Sequence, residues 1–351
     1  MALLIMESFD VFWSTEYFVV GDAYPLFDLS TLHPLIAVGR RGTYGLQMYN
    51  GNSRYSTINF GEDKTSLCFG FALVVEAGGT ASSAFFRVFD SALTLQFCID
   101  LTTAGRFRVK DGLTGNVLAE SADGAFQKDI YQYVEINFSC TGTDTIEIRV
   151  NETAVLGPTG GLNLRQAGSG GAYHVRLSAA NSENGSPFTY MDDLYVLDSD
   201  GSTFNDFVGD VKVDAFMPTD DGYYTDFTPS TGVDHWDTIN DIGTTADDAY
   251  IESDTVTEKD SFTITPTGDL PTIHAIKVHN VSRNSDTGVS EGTPFIRMGG
   301  VDYPLDPFER GDTNQCNEQI VERRPDTDAV WSKTILETDF EFGFEFSEVV
   351  S

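Results

Sequence analysis

An all-β fold, an antiparallel jelly-roll sandwich followed by a smaller C-terminal β-sandwich, is predicted by three features of this sequence. Short apolar runs with period-two alternation recur from residue 43 onward. Turn-forming clusters such as "DGLTGN", "CTGTD", "GPTGG" and "AGSGG" separate them, using Gly at positive φ and Asx side-chain bonds. Ala, Leu and Lys do not dominate the composition, and no helix longer than two turns is readable.

The strands follow in order. "TYGLQMYN" (43–50), "LCFGFALVVEA" (67–77), "AFFRVFD" (84–90), "LTLQFCID" (93–100) and "RFRVKDG" (106–112) alternate or run apolar over strand-like lengths. "VLAES" (117–121), "YQYVEINFSC" (131–140), "TIEIRVNET" (145–153), "YHVRLSAA" (173–180) and "FTYMDDLYVLD" (188–198) continue the series. In the C-terminal part, "TIHAIKVHNVSR" (272–283) and "TPFIRMGGVDYP" (293–304) are strand-like. "WSKTILETDFEFGFEF" (331–346) closes the chain as a strand with Phe340, Phe342, Phe344 and Phe346 on one face.

At 351 residues the chain is long for one domain. A division at 1–205 and 206–351 is expected, with "FVGDVKVDAFMP" (207–218) as the first strand of the second domain. The formal net charge of −33 comes from 54 acids and 21 bases. Residues 1–205 hold 23 acids and 12 bases, net −11, and residues 206–351 hold 31 and 9, net −22. Such a surface repels phosphate backbones and anionic lipid, which argues against nucleic-acid binding and membrane attachment. The opening "MALLIM" lacks a basic flank and is too short for a signal peptide or a span, so synthesis in a cytoplasm without a signal peptide is expected. Cys68, Cys98 and Cys140 sit in apolar runs and are expected to be buried hydrophobes; Cys316 completes a widely spaced set without C-x-x-C.

Two resemblances extend this reading. "DIYQYVEINFSCTGTDTIEIRVNETAVL" resembles the paired strands of laminin-G-like, concanavalin A-like jelly rolls. Tyr131, Tyr133, Val134 and Glu135 stand in the first strand and Val150-Asn151 ends the second, with Glu152 where that pattern has Gly. "FTYMDDLYVLD" resembles the closing strand of the same fold, so the likeness spans residues 7 to about 200. The acidic stretch 191–216 and the segment 228–264 resemble tailed-bacteriophage virion structural proteins, in which a jelly roll passes into a second β domain. That resemblance implies a non-enzymatic role on the tail, a fibre or the capsid exterior, with other virion proteins and copies of the chain itself as partners.

Candidate sites are few. "DSDG" in the 191–216 stretch suggests half of a Ca²⁺ loop, but the twelfth position counted from Asp198 is Gly209, not Glu. Asp192, Asp193, Asp198 and Asp200 are the calcium candidates, weighed against turn-forming aspartates. Glu337, Asp339 and Glu341 in "ETDFE" would share one face if the segment were a strand, a spacing suited to a retaining glycosidase. The Phe alternation already explains why that face is polar. Tyr223 and Tyr224 in the polar loop "DDGYYTDF" are the candidate glycan contacts, weighed against packing between domains. His274 and His279, on one strand but five positions apart, would point to opposite faces. His33, His174 and His235 have no partner pattern, and no catalytic motif is present. The expectation is therefore virion assembly with host-surface glycan as a further partner. The alternatives are a carbohydrate-binding adsorption module and, behind it, a jelly-roll glycoside hydrolase.

Overall fold

The computed structural model describes residues 3–9, 27–29, 35–41, 44–48, 55–77, 83–166, 170–179, 188–198, 203–240, 249–285 and 289–350. The chain forms two compact units, Met1–Asp214 and Ala215–Ser351. Every strand pairing among the described residues is antiparallel. No helix among the described residues is long and apolar enough to cross a membrane.

The first unit opens with β1 (Leu3–Glu7), β2 (Phe27–Leu29), β3 (Leu35–Val38), β4 (Tyr44–Met48) and β5 (Tyr55–Lys64). β6 (Ser66–Val75), β7 (Ser83–Phe89), β8 (Leu95–Leu101), β9 (Phe107–Asp111) and β10 (Val117–Glu120) follow. β11 (Gln132–Ser139), β12 (Asp144–Val150), β13 (Thr153–Leu162), β14 (Ala172–Ser178) and β15 (Thr189–Asp198) complete it. One sheet runs β13-β12-β11-β6-β15-β4-β3, with β1 also on β15; the other runs β10-β9-β8-β7-β14-β5-β2. Each of the ten strands expected in this part overlaps one of these elements. "GPTGG" is a correction, since Gly157–Gly161 lie inside edge strand β13 rather than in a turn. β13 is mostly exposed, which masked its strand pattern.

The core lies between the sheets because alternate residues point inward. Ile146, Ile148 and Val150 of β12, and Val134, Ile136 and Phe138 of β11, meet Phe86 and Phe97 from the facing sheet. Central β6 is buried on both faces, so it reads as a continuous apolar run instead of an alternation. Leu67, Phe69, Phe71, Leu73 and Val75 enter the core. Its other face carries Cys68 and Gly70, beside outward-facing Tyr133, Glu135 and Tyr195 of the neighbouring strands.

What covers this outer face corrects the expected domain boundary. Residues 206–214 belong to the first unit, and 203–217 form no strand. Their backbone bonds go to side chains of the sheet. Gly209 N donates to Glu135 Oε1 (2.8 Å), Val208 N to the Tyr195 hydroxyl (3.2 Å) and Val213 N to Asp193 Oδ1 (2.9 Å). Phe207 lies 3.9 Å from the Arg149 guanidinium. The alternation of Val211 and Val213 thus reflects a strap held by buried acids rather than a ladder.

The second unit comprises β16 (Pro218–Thr225), β17 (Thr228–Pro229), α1 (His235–Ile239), β18 (Ile251–Glu252), β19 (Lys259–Ile264) and β20 (Ile276–Ser282). β21 (Val289–Met298), β22 (Val301–Pro304), β23 (Phe308–Arg310), β24 (Gln315–Val321), α2 (Lys333–Thr338) and β25 (Glu341–Val350) follow. Its main sheet runs β16-β19-β25-β21-β22, with β23 on β21; β17-β18 and β20-β24 are two-stranded ribbons. Val278 of the second ribbon packs with Ile296, Met298, Trp331, Leu336 and Phe340. Phe344 and Phe346 join Phe227 in a separate cluster. The expected strand 331–346 is corrected in its first half. Ser332 caps α2 by accepting from Ile335 N, Leu336 is buried, and the strand begins only at Glu341.

Candidate functional site

The acids of 191–198 are structural. Asp192 and Asp193 are buried where β15 bulges, and Asp193 has φ +53°. Asp192 Oδ2 accepts from Arg40 N (2.8 Å), and Asp193 Oδ2 lies 3.7 Å from the Arg40 guanidinium, which also forks onto Asp210. Burial pushes the Asp193 carboxyl above its usual value despite Val213 N and the arginines. Asp198 is held by Lys64 at 3.1 Å. Arg40 and Lys64 stand at these acids, and among the described residues the three carboxylates do not come together as a ligand cluster. Asp200 lies outside the described residues.

The "ETDFE" carboxylates do not share one strand face, because the helix-to-strand switch falls among them, although all three border one pocket. Glu337, on α2, faces Lys333 at 3.6 Å. Asp339 accepts from Gly299 N (2.7 Å). Glu341, on β25, accepts from Tyr223 N (2.8 Å) and the Ser261 hydroxyl (2.7 Å). The one-face arrangement expected of a strand is absent.

Tyr223 and Tyr224 sit on β16, not in a loop, and both belong to a built surface patch. The β16–β19 register breaks between Asp221 and Thr225. Across this break the backbone is carried by side chains: Tyr223 N bonds Glu341 and Tyr224 N bonds the Ser261 hydroxyl (3.0 Å). Gly222 is required here, since a Cβ would sit 2.4 Å from Ser261 Oγ and 2.5 Å from Glu341 Oε2. The result is an aromatic pair at right angles, ring centroids 4.8 Å apart, with Tyr223 68% exposed and Tyr224 half-buried against Phe295.

Arg297 from β21 lies 4.2 Å from the Tyr223 ring centre and 5.2 Å from that of Tyr224. Its own position is fixed by Asp302 (2.6 Å), which also receives Lys259 (3.0 Å) and the Tyr224 hydroxyl (2.9 Å). Burial pushes the Asp302 carboxyl up, but Arg297, Lys259 and Tyr224 outweigh it and hold it below its usual value. Arg297 and Glu341 also line a pocket of about 160 Å³ with Gly299, Gly300, Glu337 and Asp339. An exposed ring, an anchored guanidinium and carboxylates around a shallow pocket suit a polyhydroxylated ligand, which needs a stacking face and planar hydrogen-bonding groups.

The histidines depart from the sequence reading. His235 is buried in α1, with Nδ1 2.6 Å from Asp260 Oδ2. His274 precedes β20 rather than sharing it with His279, and burial lowers its pKa. His279 meets Glu318 (3.0 Å) and Cys316 (3.6 Å), a constellation the sequence reading missed. The residues are nearly forty positions apart, and only the β20–β24 register, His279 opposite Glu318, brings them together. The available signal was alternation: Lys277-x-His279 on one strand and Cys316-x-Glu318 on another.

No family model matches the sequence, and no curated protein matches it. Among solved structures, a cellulose-induced protein, Cip1, matches at 12% identity and TM-score 0.41, covering 55% of this chain and 96% of that one. The alginate lyase Aly36B matches at 14% identity and TM-score 0.34, covering 46% and 84%. A Trypanosoma rangeli sialidase matches at 9% identity and TM-score 0.32, covering 44% of this chain but only a quarter (25%) of its own length. At these identities and TM-scores the likeness carries no inference about activity or ligand.

Proposed function

We propose that the chain is a non-enzymatic carbohydrate-binding module and that its contact surface is the Tyr223–Arg297–Glu341 patch of the second unit. The observation that carries this reading is Tyr223 itself: a ring 68% exposed, yet fixed by its backbone bond to Glu341 and by Arg297 stacked 4.2 Å away. A solvent-facing aromatic held this firmly offers stacking at little entropic cost. Arg297, Glu341 and Asp339 supply the donors and acceptors that orient hydroxyls. Turnover is not part of the proposal, because Glu337 on α2 and Glu341 on β25 do not stand as a carboxylate pair on one strand face.

The test is a glycan array probed with the full chain, followed by calorimetry on the best ligand. Tyr223→Ala should weaken binding about tenfold, the equivalent of about 1.4 kcal/mol. An array without ligands, or a Tyr223→Ala protein that binds as tightly as the parent, would overturn the reading. Placement on a phage particle is a separate proposal, supported by the sequence resemblance of 191–216 and 228–264. Light scattering addresses it: a stable homo-oligomer favours assembly.

A further inference from the structure

We infer that His279, Cys316 and Glu318 form a binding site for a divalent transition metal of the zinc class. One ligand atom from each lies within 4.8 Å of the others. The β20–β24 pairing sets Glu318 directly opposite His279 and Cys316 opposite Val281, so all three side chains share one face of the ribbon. Imidazole, thiolate and carboxylate are the donor set that Zn²⁺ takes, and three protein ligands plus water complete its tetrahedron. Cys316 Sγ lies 3.6 Å from both His279 ring nitrogens, close enough for one ion to be shared once the ring is turned toward it.

Three further features fit the assignment. Cys316 is the one cysteine of the four that is not buried. Burial pushes the Cys98 thiol up to about 11, the Cys140 thiol up to about 12 and the Cys68 thiol higher still, so these three are poor ligands. Lys277 Nζ, 2.7 Å from Glu318 Oε1, orients that carboxylate from outside the ligand set.

A cysteine nucleophile activated by histidine would use the same residues, but the geometry disfavours it. Sγ stands 3.6 Å from both ring nitrogens. An in-plane approach equidistant from both would collide with the carbon between them, so the sulfur lies against the ring face and no nucleophile–base hydrogen bond forms. Metal binding requires the imidazole to turn about Cβ–Cγ, exchanging the Nδ1 contact with Glu318 Oε1 (3.0 Å) for coordination.

The experiment titrates the chelator-stripped full chain with Co²⁺, which accepts zinc's ligands and reports a bound thiolate by near-ultraviolet charge-transfer absorption. One Co²⁺ per chain with that band, displaced by Zn²⁺, is expected. Cys316→Ser should abolish the band, and His279→Gln should weaken Co²⁺ binding at least tenfold while the far-ultraviolet dichroism of both variants matches the parent. No band in the parent, or a band that persists in Cys316→Ser, overturns the assignment. Should Cys316→Ser fail to fold, His279→Gln with an unchanged Co²⁺ titration has the same force. Glycan binding plays no part in this readout.

Discussion

Replacing Glu135 with Ala should destabilise the first unit by about 3 kcal/mol and release the strap that follows β15. The carboxylate is 1% exposed, and its Oε1 accepts from both the Tyr195 hydroxyl (2.6 Å) and Gly209 N (2.8 Å). Charge-assisted bonds contribute about 1.5–3 kcal/mol each, so the gross loss is about 3–6 kcal/mol. Alanine also removes the cost of holding a carboxylate away from water, and a lifted strap lets Gly209 N bond solvent instead. The net figure therefore falls near the lower end of that range. Hydrogen exchange of the Val208 and Gly209 amides reads the strap locally, and urea unfolding reads the whole unit. Both amides should exchange faster in the variant under conditions where the sheet stays protected. Unchanged exchange at Gly209, or a stability loss under about 1 kcal/mol, would refute the view that this buried acid fastens the strap.

Two other outcomes test neighbouring parts of the argument. Gly70→Ala places a Cβ 2.1–2.8 Å from the Tyr195 ring and should cost about 1–3 kcal/mol; Tyr195→Ala in the same chain should relieve part of it, and strict additivity in urea melts would contradict the packing. The depressed Asp302 carboxyl adds stability that is complete above its unfolded value of about 4 and is lost as pH falls through the lower folded value. The second unit of Asp302→Asn should therefore show a shallower acid limb in its melting temperature, and identical limbs would remove Asp302 from the account.

The strands were readable where one face meets the core and the other meets solvent. β12 shows this in Ile146, Ile148 and Val150. The same rule misled over 207–217 of the strand expected at 207–218, because a strap pinned by Glu135 and Asp193 also alternates while making no ladder. At 331–346 a short capped helix, too brief for helical periodicity to emerge, was absorbed into the Phe alternation. Tyr223 and Tyr224 stood out as aromatics in polar surroundings, but Arg297 and Glu341 come from strands far along the chain. The trio on β20 and β24 was illegible for the same reason: cross-strand register is a long-range property that spacing within a segment does not encode.

The pairing of β1 with β15, Leu3 opposite Leu197, bears on how this chain is made. After β1 is synthesised, its partner follows only nearly two hundred residues later, about 10–40 s at ordinary synthesis rates. Until then one side of β1 is an open edge, so a nascent chain stalled before residue 189 exposes a template for pairing with other chains. Once closed, Leu3 of β1 and Leu197 of β15 lie side by side in the sheet, and the template is withdrawn.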